Sequence, residues 1–198
     1  MEGNPSMTHN ITMCIPSIPV RSNLLKRAID SVLAQTYPAA AINISIDHDK
    51  SGAAENRNRA LFSAQTPWVA FMDDDDLLYS NHLDLLVQKQ VETGADVVFP
   101  WFDTDPPGGD PFPPEFETRE YDYAEPHMFP VTTLVRKSLA WDVGGFPIAD
   151  PVSSVCAGED WTFWLKMRDA GAKFAHVNAR TWCWDMNGQN TSGLPSRW

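Results

Sequence analysis

The chain has 198 residues, and 26 acidic against 15 basic side chains give it a formal net charge of −11. This length predicts one domain that buries a core without disulfide or metal staples. The charge excludes a protein that tracks nucleic-acid phosphates by bulk charge, and also a polybasic membrane anchor. No apolar run reaches about 18 residues, so we expect no transmembrane helix. The three cysteines lack CxxC spacing, which favours a cytoplasmic protein.

The first half of the chain alternates strand patterns with helix patterns. We expect strands at 11–15, 41–46, 68–72 and 95–99, and helices at 22–35, 53–64 and 81–93. Ser22 is a candidate N-cap of the first helix, and Gly94 is a candidate C-cap of the third. This alternation predicts an α/β domain with a mostly parallel central sheet, whose ligands bind beyond the carboxyl ends of the strands.

The segment 100–130 is acidic and rich in proline, with eight of the 16 prolines of the chain. Because proline at this density breaks helices and central strands, we expect a long surface insertion with little regular structure. The insertion is either a functional loop or an acidic solvated linker. Beyond it, the patterns predict strands at 128–135 and 173–177, helices at 137–143 and 159–170, and an irregular tail at 178–198.

Four consecutive aspartates, residues 73–76, follow the strand predicted at 68–72. Neighbouring carboxylates in a dry site repel one another, which raises their proton affinity unless a cation is present. Carboxylate oxygens suit hard divalent cations such as Mg²⁺ and Mn²⁺. In an extended chain, Asp73 and Asp75 would face one side while Asp74 and Asp76 face the other. The alternative is an acidic turn with Asp76 as a helix cap, but the position after a buried strand favours a metal site.

The segment Gly158-Glu159-Asp160-Trp161 begins the helix predicted at 159–170. Acidic residues in a first helical turn usually serve as caps or as partners of the helix dipole. The alternative is a general base, because a carboxylate held against aromatic rings has a raised proton affinity. We expect at least one of Trp161 and Trp164 to lie in the core, because they stand at i, i+3 spacing on one helix.

In order and spacing, these segments resemble the family 2 glycosyltransferases, which are inverting enzymes with the GT-A fold. The resemblance runs from about Ile11 to Gly193. It rests on Pro16-Ser17, the SVLAQTYP stretch at 31–38, Ile46-Asp47, Gly52 with Asn56-Arg57-Asn58, the strand and DXD motif at 69–76, Gly144-Gly145-Phe146, and Gly158-Glu159-Asp160-Trp161.

The resemblance implies that the chain moves a sugar from a nucleotide-diphosphate donor, UDP-linked, to an acceptor hydroxyl with inversion, and that it uses Mn²⁺ or Mg²⁺. Asp75 would be the main metal ligand and Asp160 the base. The implied donor-binding residues are Pro16, Asp47, Arg57, Asp73, Asp74 and Asp75. Of these, Asp47 would accept hydrogen bonds from the nucleotide base, and Asp73 and Asp74 would contact ribose or phosphate. The acceptor-side candidates are Glu159, Trp161 and Trp184. Four tryptophans lie in the acceptor half and would either stack on a sugar ring or pack in the core: Trp161, Trp164, Trp182 and Trp184. Apart from the resemblance, Asp47 would be a strand-end cap and Arg57 a surface ion pair.

The resemblance also implies one GT-A domain over 1–198. Residues 11–99 would bind the nucleotide sugar, 100–130 would form the insertion, and 131–198 would form a small acceptor-side subdomain and the tail. Two features depart from the family. His48-Asp49 follows Asp47 where an acid and a glycine are usual, and Asn187 stands where the family often has a histidine. Asp185, Asn187 or water would therefore complete the metal coordination.

Two other functions compete with this interpretation. A nucleotidyltransferase also uses a nucleotide, a metal and paired aspartates, but the segment at 16–23, PSIPVRSN, has no glycine and only one arginine. A catalytically degenerate domain that only binds a nucleotide sugar or a metal is the non-enzymatic alternative. The sequence leaves open which sugar is moved, the pathway and the oligomeric state. It also leaves open whether the acceptor is a glycan, a lipid, a protein or a modified base.

Overall fold

The computed structural model describes residues 9–107, 131–148 and 158–186, and a single mixed sheet runs through all three ranges. In these ranges the sheet has seven strands in the order β2-β1-β3-β6-β5-β7-β4. The strands are β1 (Ile11–Ser17), β2 (Ala41–Ile46), β3 (Trp68–Phe71), β4 (Leu77–Leu78), β5 (Val97–Asp105), β6 (Leu134–Arg136) and β7 (Phe174–Asp185). Only β6 and β4 run antiparallel to the other five, which confirms the mostly parallel sheet.

The helices begin and end close to the predicted positions. They are α1 (Ser22–Leu33), α2 (Ala53–Ser63), α3 (His82–Thr93), α4 (Lys137–Asp142) and α5 (Glu159–Asp169), with a short 3-10 turn, Pro19–Arg21, before α1. The prediction that Ser22 caps α1 is wrong, because the 3-10 turn leads directly into the helix and Arg21 takes the cap position. Gly94 is confirmed as the C-cap of α3: its φ is +67°, and its N–H donates to the carbonyl oxygen of Gln90 at 2.7 Å.

Helices cover both faces of the sheet, because successive strand side chains point to opposite faces. Trp68 and Ala70 of β3 pack on the face covered by α1 and α3. Val69 and Phe71 pack on the other face, against α2, α4 and α5. In the described residues, no helix combines the length and the apolar character needed to cross a membrane.

The strand β1 runs two residues further than predicted and includes Pro16. Pairing with β3 ends at Cys14, so at Pro16 the strand has a hydrogen-bonded neighbour only on the β2 side. A proline lacks the N–H that a second neighbour would need, and it is tolerated where the sheet is open on one side.

Three predictions for the second half of the chain are wrong in part. The acidic segment does not begin as a surface loop, because β5 continues through Pro100 to Asp105 and most of that stretch is buried. The predicted tail does not begin at residue 178, because β7 continues to Asp185. The predicted strand at 128–135 is instead β6, which begins at Leu134. Residues 108–130 and 187–198 lie outside the described residues.

Proline is accommodated in β5 by an irregularity in its pairing with β7. Pro100 lies opposite Val177, whereas Trp101 lies opposite Arg180, so the register shifts between the two. It shifts again between Trp101 and Phe102. Such bulges are positions where a strand tolerates proline and bends.

Candidate functional site

The predicted donor-side residues gather at one edge of the sheet, where the parallel strands β1, β2 and β3 end. Pro16 lies buried in β1 opposite Ser45, and Asp47 follows β2 directly. The N–H of Asp47 donates to the carbonyl oxygen of Ser17 at 2.8 Å, so the ends of β1 and β2 are joined. Asp73 follows β3 at the same edge.

Asp47 is buried, and its two carboxylate oxygens hold the loop that leads to α2. Oδ1 accepts hydrogen bonds from the N–H of Ser51 at 2.9 Å and from its hydroxyl at 3.0 Å. Oδ2 accepts from the N–H of Gly52 at 2.9 Å. These contacts match the strand-end cap that we considered from the sequence. The contact of Asp47 with a nucleotide base stays a prediction.

Residues 73–76 form a tight turn, which we call the aspartate turn. The N–H of Asp76 donates to the carbonyl oxygen of Asp73 at 3.3 Å, and β4 begins at the next residue. The expected alternation of side chains is therefore wrong, because the chain is not extended here. Asp73, Asp75 and Asp76 each offer a carboxylate oxygen within 4.8 Å of the other two. Asp76 cannot be a helix cap, since a strand follows it.

Asp74, the fourth member, is held by Ser17 and Arg21, neither of which was predicted to contact the aspartates. The Ser17 hydroxyl donates to its Oδ2 at 2.6 Å, and Arg21 Nη1 donates to its Oδ1 at 2.9 Å. The same Arg21 nitrogen lies 3.0 Å from Asp75 Oδ2. The sequence feature that could have predicted this contact is that Arg21 is the one basic residue between β1 and α1.

Burial and mutual repulsion raise the proton affinity of the aspartate turn, as the sequence predicts. Burial raises the pKa of Asp75 to about 7, and repulsion from Asp73 adds to this while Arg21 opposes it. The pKa of Asp76 lies well above its usual value, again from burial and then from repulsion by Asp73. Burial also raises the pKa of Asp74. A bound cation would relieve the repulsion among these carboxylates.

Arg57 is buried, so the expectation of a surface ion pair is wrong. Its Nη2 donates to Asp73 Oδ1 at 2.7 Å, and its Nη1 donates to Glu159 Oε1 at 2.6 Å. Its Nε is buried without a hydrogen-bond partner among the described residues. Burial by itself would lower the pKa of Arg57, but Asp73 and Glu159 more than offset it and the pKa is raised. Arg57 therefore keeps its charge and joins the aspartate turn to α5.

Asp160, the predicted base, lies half-buried in the first turn of α5. Its Oδ1 accepts a hydrogen bond from the N–H of Trp161 at 2.7 Å. Burial raises the pKa of Asp160, and the charge of Arg57 opposes this rise.

The tryptophans near α5 and β7 divide between core and surface. Trp164 is fully buried, which confirms that at least one of Trp161 and Trp164 belongs to the core. Trp182 is also buried, so it belongs to the core and does not offer a face to a sugar ring, whereas Trp161 is 43% exposed. Trp184 is half-buried, and its ring meets the Phe102 ring edge-on with 5.4 Å between the centroids.

Asp185 lies beside the aspartate turn, at the end of β7. It is buried, and its backbone N–H donates to Asp76 Oδ1 at 3.3 Å. Asn187, the other candidate for a histidine replacement, lies outside the described residues. A ligand role for Asp185 stays a prediction. Asp76 itself was missed as a member of the cluster, because the alternation argument placed it on the opposite side from Asp73 and Asp75.

Sequence comparison decides the family. The model of glycosyl transferase family 2 matches residues 41–144, which is more than half of the chain. This chain belongs to glycosyl transferase family 2. The matched segment includes Asp47, Arg57 and the aspartate turn, and it ends at Gly144. No curated protein matches this chain.

Solved structures of TarS from S. aureus share the fold of this chain. TarS 1–349 superposes with a TM-score of 0.73 at 16% identity, over 89% of this chain and 60% of that chain. TarS 1–349 in complex with UDP-GlcNAc gives 0.71 at 16% identity, over 90% and 59%. A further TarS structure gives 0.72 at 15% identity, over 91% and 37%. These similarities confirm the predicted GT-A fold, and this chain spans at most about 60% of the length of those chains.

Proposed function

We propose that this glycosyltransferase moves a sugar from a UDP-linked donor to an acceptor hydroxyl with inversion, using a divalent cation at the aspartate turn and Asp160 as the general base. The observation that carries the proposal is the clustering of Asp73, Asp75 and Asp76, joined through Arg57 to the start of α5. The TarS fragment of the same fold forms complexes with UDP-GlcNAc and with UDP, which supports the donor class.

The aspartate turn fits a hard divalent cation such as Mn²⁺ or Mg²⁺. It presents three carboxylates whose oxygens lie within 4.8 Å of one another, and oxygen is the ligand atom that these cations prefer. We assign Asp75 as the main ligand, with Asp73 and Asp76 beside it. When bound, the cation would act as a Lewis acid that stabilises the charge on the leaving diphosphate.

The donor-side residues differ in how open they are to a ligand. The Asp73 side chain is 33% exposed, whereas that of Asp74 is buried with both oxygens bonded to Ser17 and Arg21. Of the two aspartates predicted to contact ribose or phosphate, Asp73 is therefore the better placed. Arg57 donates a hydrogen bond to Asp73 Oδ1. Its Nε–H is buried and has no hydrogen-bond partner in the described residues.

Asp160 would take the proton of the acceptor hydroxyl. The hydroxyl oxygen forms a bond to the anomeric carbon from the face opposite the diphosphate, the bond from that carbon to the diphosphate oxygen breaks, and the proton moves to the carboxylate. One displacement inverts the configuration. A carboxyl whose pKa is raised by burial is a stronger base, which suits this step.

Trp161 offers the acceptor side an exposed ring next to the proposed base. Aromatic faces bind sugar rings by stacking, so we assign Trp161 to the acceptor, with Trp184 as a second candidate on β7. The fold does not determine which acceptor is used, because the residues around the acceptor site vary among proteins of one fold.

Two measurements test the proposal. The first is UDP binding by calorimetry, which should be stronger with Mn²⁺ than with a chelator. The second is release of UDP from a panel of UDP-sugars by wild type and by Asp160→Asn. The variant should bind UDP normally and lose about 10²–10⁴-fold in rate, the usual contribution of a general base. Asp169→Asn, at the exposed end of the same helix, is the matched control. Near-normal release by Asp160→Asn would remove Asp160 from the mechanism.

A further inference from the structure

We propose that Glu159 is a positioning residue for the general base: its ion pair with buried Arg57 fixes the first turn of α5, and with it Asp160, against the aspartate turn. This inference rests on the proposed function, because it takes Asp160 as the base. It assigns Glu159, an acceptor-side candidate from the sequence, to a contact within the protein instead of a contact with the acceptor.

The guanidinium of Arg57 sets the distance between the aspartate turn and the first turn of α5. Arg57 reaches Asp73 through Nη2 at 2.7 Å and Glu159 through Nη1 at 2.6 Å. These partners lie 16 and 102 residues away along the chain. Because the guanidinium is planar and its donors are rigidly arranged, the two carboxylates are held in a fixed relation. Only 7% of the Arg57 side chain is exposed, so water cannot easily replace either partner.

The body of α5 and its first turn are held by different contacts. Phe163 and Trp164 are fully buried, and the Phe163 ring packs on Phe146 with 4.2 Å between centroids. The first turn begins after Gly158, which has no side chain to cap it. The Glu159–Arg57 pair therefore anchors the turn that carries Asp160, while core packing holds the rest of the helix.

The pair also keeps the guanidinium on Glu159. A direct bond from Arg57 to Asp160 would stabilise the ionised carboxylate and make it a weaker base. In the structure, Asp160 Oδ1 instead accepts from the N–H of Trp161, and the two Arg57 terminal nitrogens bond Asp73 and Glu159. The two adjacent acids thus have different roles: Glu159 anchors the first turn of α5, and Asp160 takes up the proton.

The test compares Glu159→Gln with the control Glu55→Gln. Glu55 also pairs with an arginine, Arg59, at 3.5 Å, but that pair lies within α2 and its arginine side chain is 37% exposed. Three quantities are measured in each variant: amide hydrogen exchange along α5, the affinity for UDP with Mn²⁺, and the rate of UDP release at saturating UDP-sugar. Glu159→Asp, which keeps the charge but shortens the reach, serves as the conservative variant and replaces Glu159→Gln if the latter does not fold.

In Glu159→Gln we expect faster exchange at Thr162 and Phe163 but not at Met167 near the helix end. We expect UDP affinity and Tm close to wild type, and a release rate lower by about 10²-fold, the cost of misplacing a reacting group by about 1 Å. Glu159→Asp should recover part of the rate. Glu55→Gln should match wild type in all three measurements.

Two results would overturn the inference while leaving the proposed function intact. One is wild-type release by Glu159→Gln in a protein that Asp160→Asn inactivates. The other is a joint fall in rate, UDP affinity and Tm, which would mark a purely structural pair. If the wild type releases no UDP from any UDP-sugar, the proposed function fails, and Glu159 is then a structural residue whatever the exchange shows.

Discussion

The side-chain amide of Asn58 bonds both backbone polar groups of Phe146, 88 residues further along the chain. Nδ2 donates to the Phe146 carbonyl oxygen at 2.8 Å, and Oδ1 accepts from the Phe146 N–H at 2.8 Å. Both residues are buried. The Asn56-Arg57-Asn58 and Gly144-Gly145-Phe146 segments, which stand far apart in the sequence, therefore form one structural unit beside Arg57.

Replacing Asn58 should destabilise the protein strongly. Asn58→Leu keeps much of the side-chain shape but leaves a buried N–H and a buried carbonyl oxygen of Phe146 unpaired, at about 1–3 kcal/mol each. We expect the free energy of unfolding, measured in urea, to fall by about 2–6 kcal/mol. Asn23→Leu, at an exposed position of α1, should change it by no more than about 0.5 kcal/mol. A loss as small as that for Asn58→Leu would show that the bonds to Phe146 do not matter.

Gly145 should tolerate a methyl group less well than Gly94. Their φ angles are +68° and +67°, so alanine pays the same backbone cost at both positions. A Cβ on Gly145 would lie 2.3 Å from Asn58 Oδ1, whereas a Cβ on Gly94 meets nothing within 4 Å. We expect Gly145→Ala to lose about 1–3 kcal/mol more unfolding free energy than Gly94→Ala, the usual cost of overpacking. Equal losses in parallel urea titrations would mean that Asn58 moves aside freely.

His82 should make the protein less stable in acid. It is fully buried, its Nδ1 lies 2.8 Å from the Thr181 hydroxyl, and burial lowers its pKa to about 3. Unfolding exposes a histidine with a pKa of about 6.5, so the unfolded state takes up a proton below that pH and the folded state does not. The stability from the neutral imidazole is present above about pH 6.5 and is lost as the pH falls towards 3.

The measurement is the unfolding free energy of wild type and His82→Gln between pH 7 and pH 4. Relative to the variant, wild type should lose about 1.4 kcal/mol per pH unit below about pH 6. His48→Gln, at an exposed position, should follow the wild-type profile. Parallel profiles for wild type and His82→Gln would show that folding does not lower the pKa of His82.

Asp75 should determine the metal dependence of nucleotide binding. Asp75→Asn keeps the shape of the side chain but removes its charge, so the aspartate turn loses its proposed main ligand. We expect the gain in UDP affinity that Mn²⁺ gives to wild type to shrink by about 10-fold or more, while affinity in chelator changes little. Asp30→Asn, on the surface of α1, should behave as wild type. Equal UDP affinities of Asp75→Asn and wild type in Mn²⁺ would refute the assignment.

The first half of the fold follows from its sequence because local patterns and tertiary contacts agree there. In β2 the apolar pattern and the following Asp47 mark the strand and its end, and Gly94 marks the end of α3. The buried strand pattern of β3 likewise predicted correctly that Asp73 and Asp75 follow the carboxyl end of that strand. Propensity alone failed at Pro100, because the shifted pairing with β7 accommodates a residue that would otherwise end β5.

The site contacts that depend on long-range packing were not predictable from local patterns. Whether Arg57 is exposed or buried depends on Glu159, 102 residues away, whose approach no single segment reveals. Asp76 was placed on the wrong side because a turn, and not an extended strand, follows β3. The order of strands was also hidden, since β6 inserts between β3 and β5 from a later part of the chain.

The short link between β3 and β4 constrains the shape of the whole sheet. Residues 72–76 join these strands, yet β6, β5 and β7 lie between them in the described sheet. In a flat sheet the two strands would stand about 19 Å apart, at about 4.8 Å per neighbour, which nearly equals the reach of the link when fully stretched, about 20 Å. Because the link contains a turn, it cannot span this distance. The sheet must therefore curve so that β3 and β4 come closer together, with the four aspartates bridging the gap between them. A change in the length of the link at residues 72–76 would therefore change the curvature of the sheet between β3 and β4.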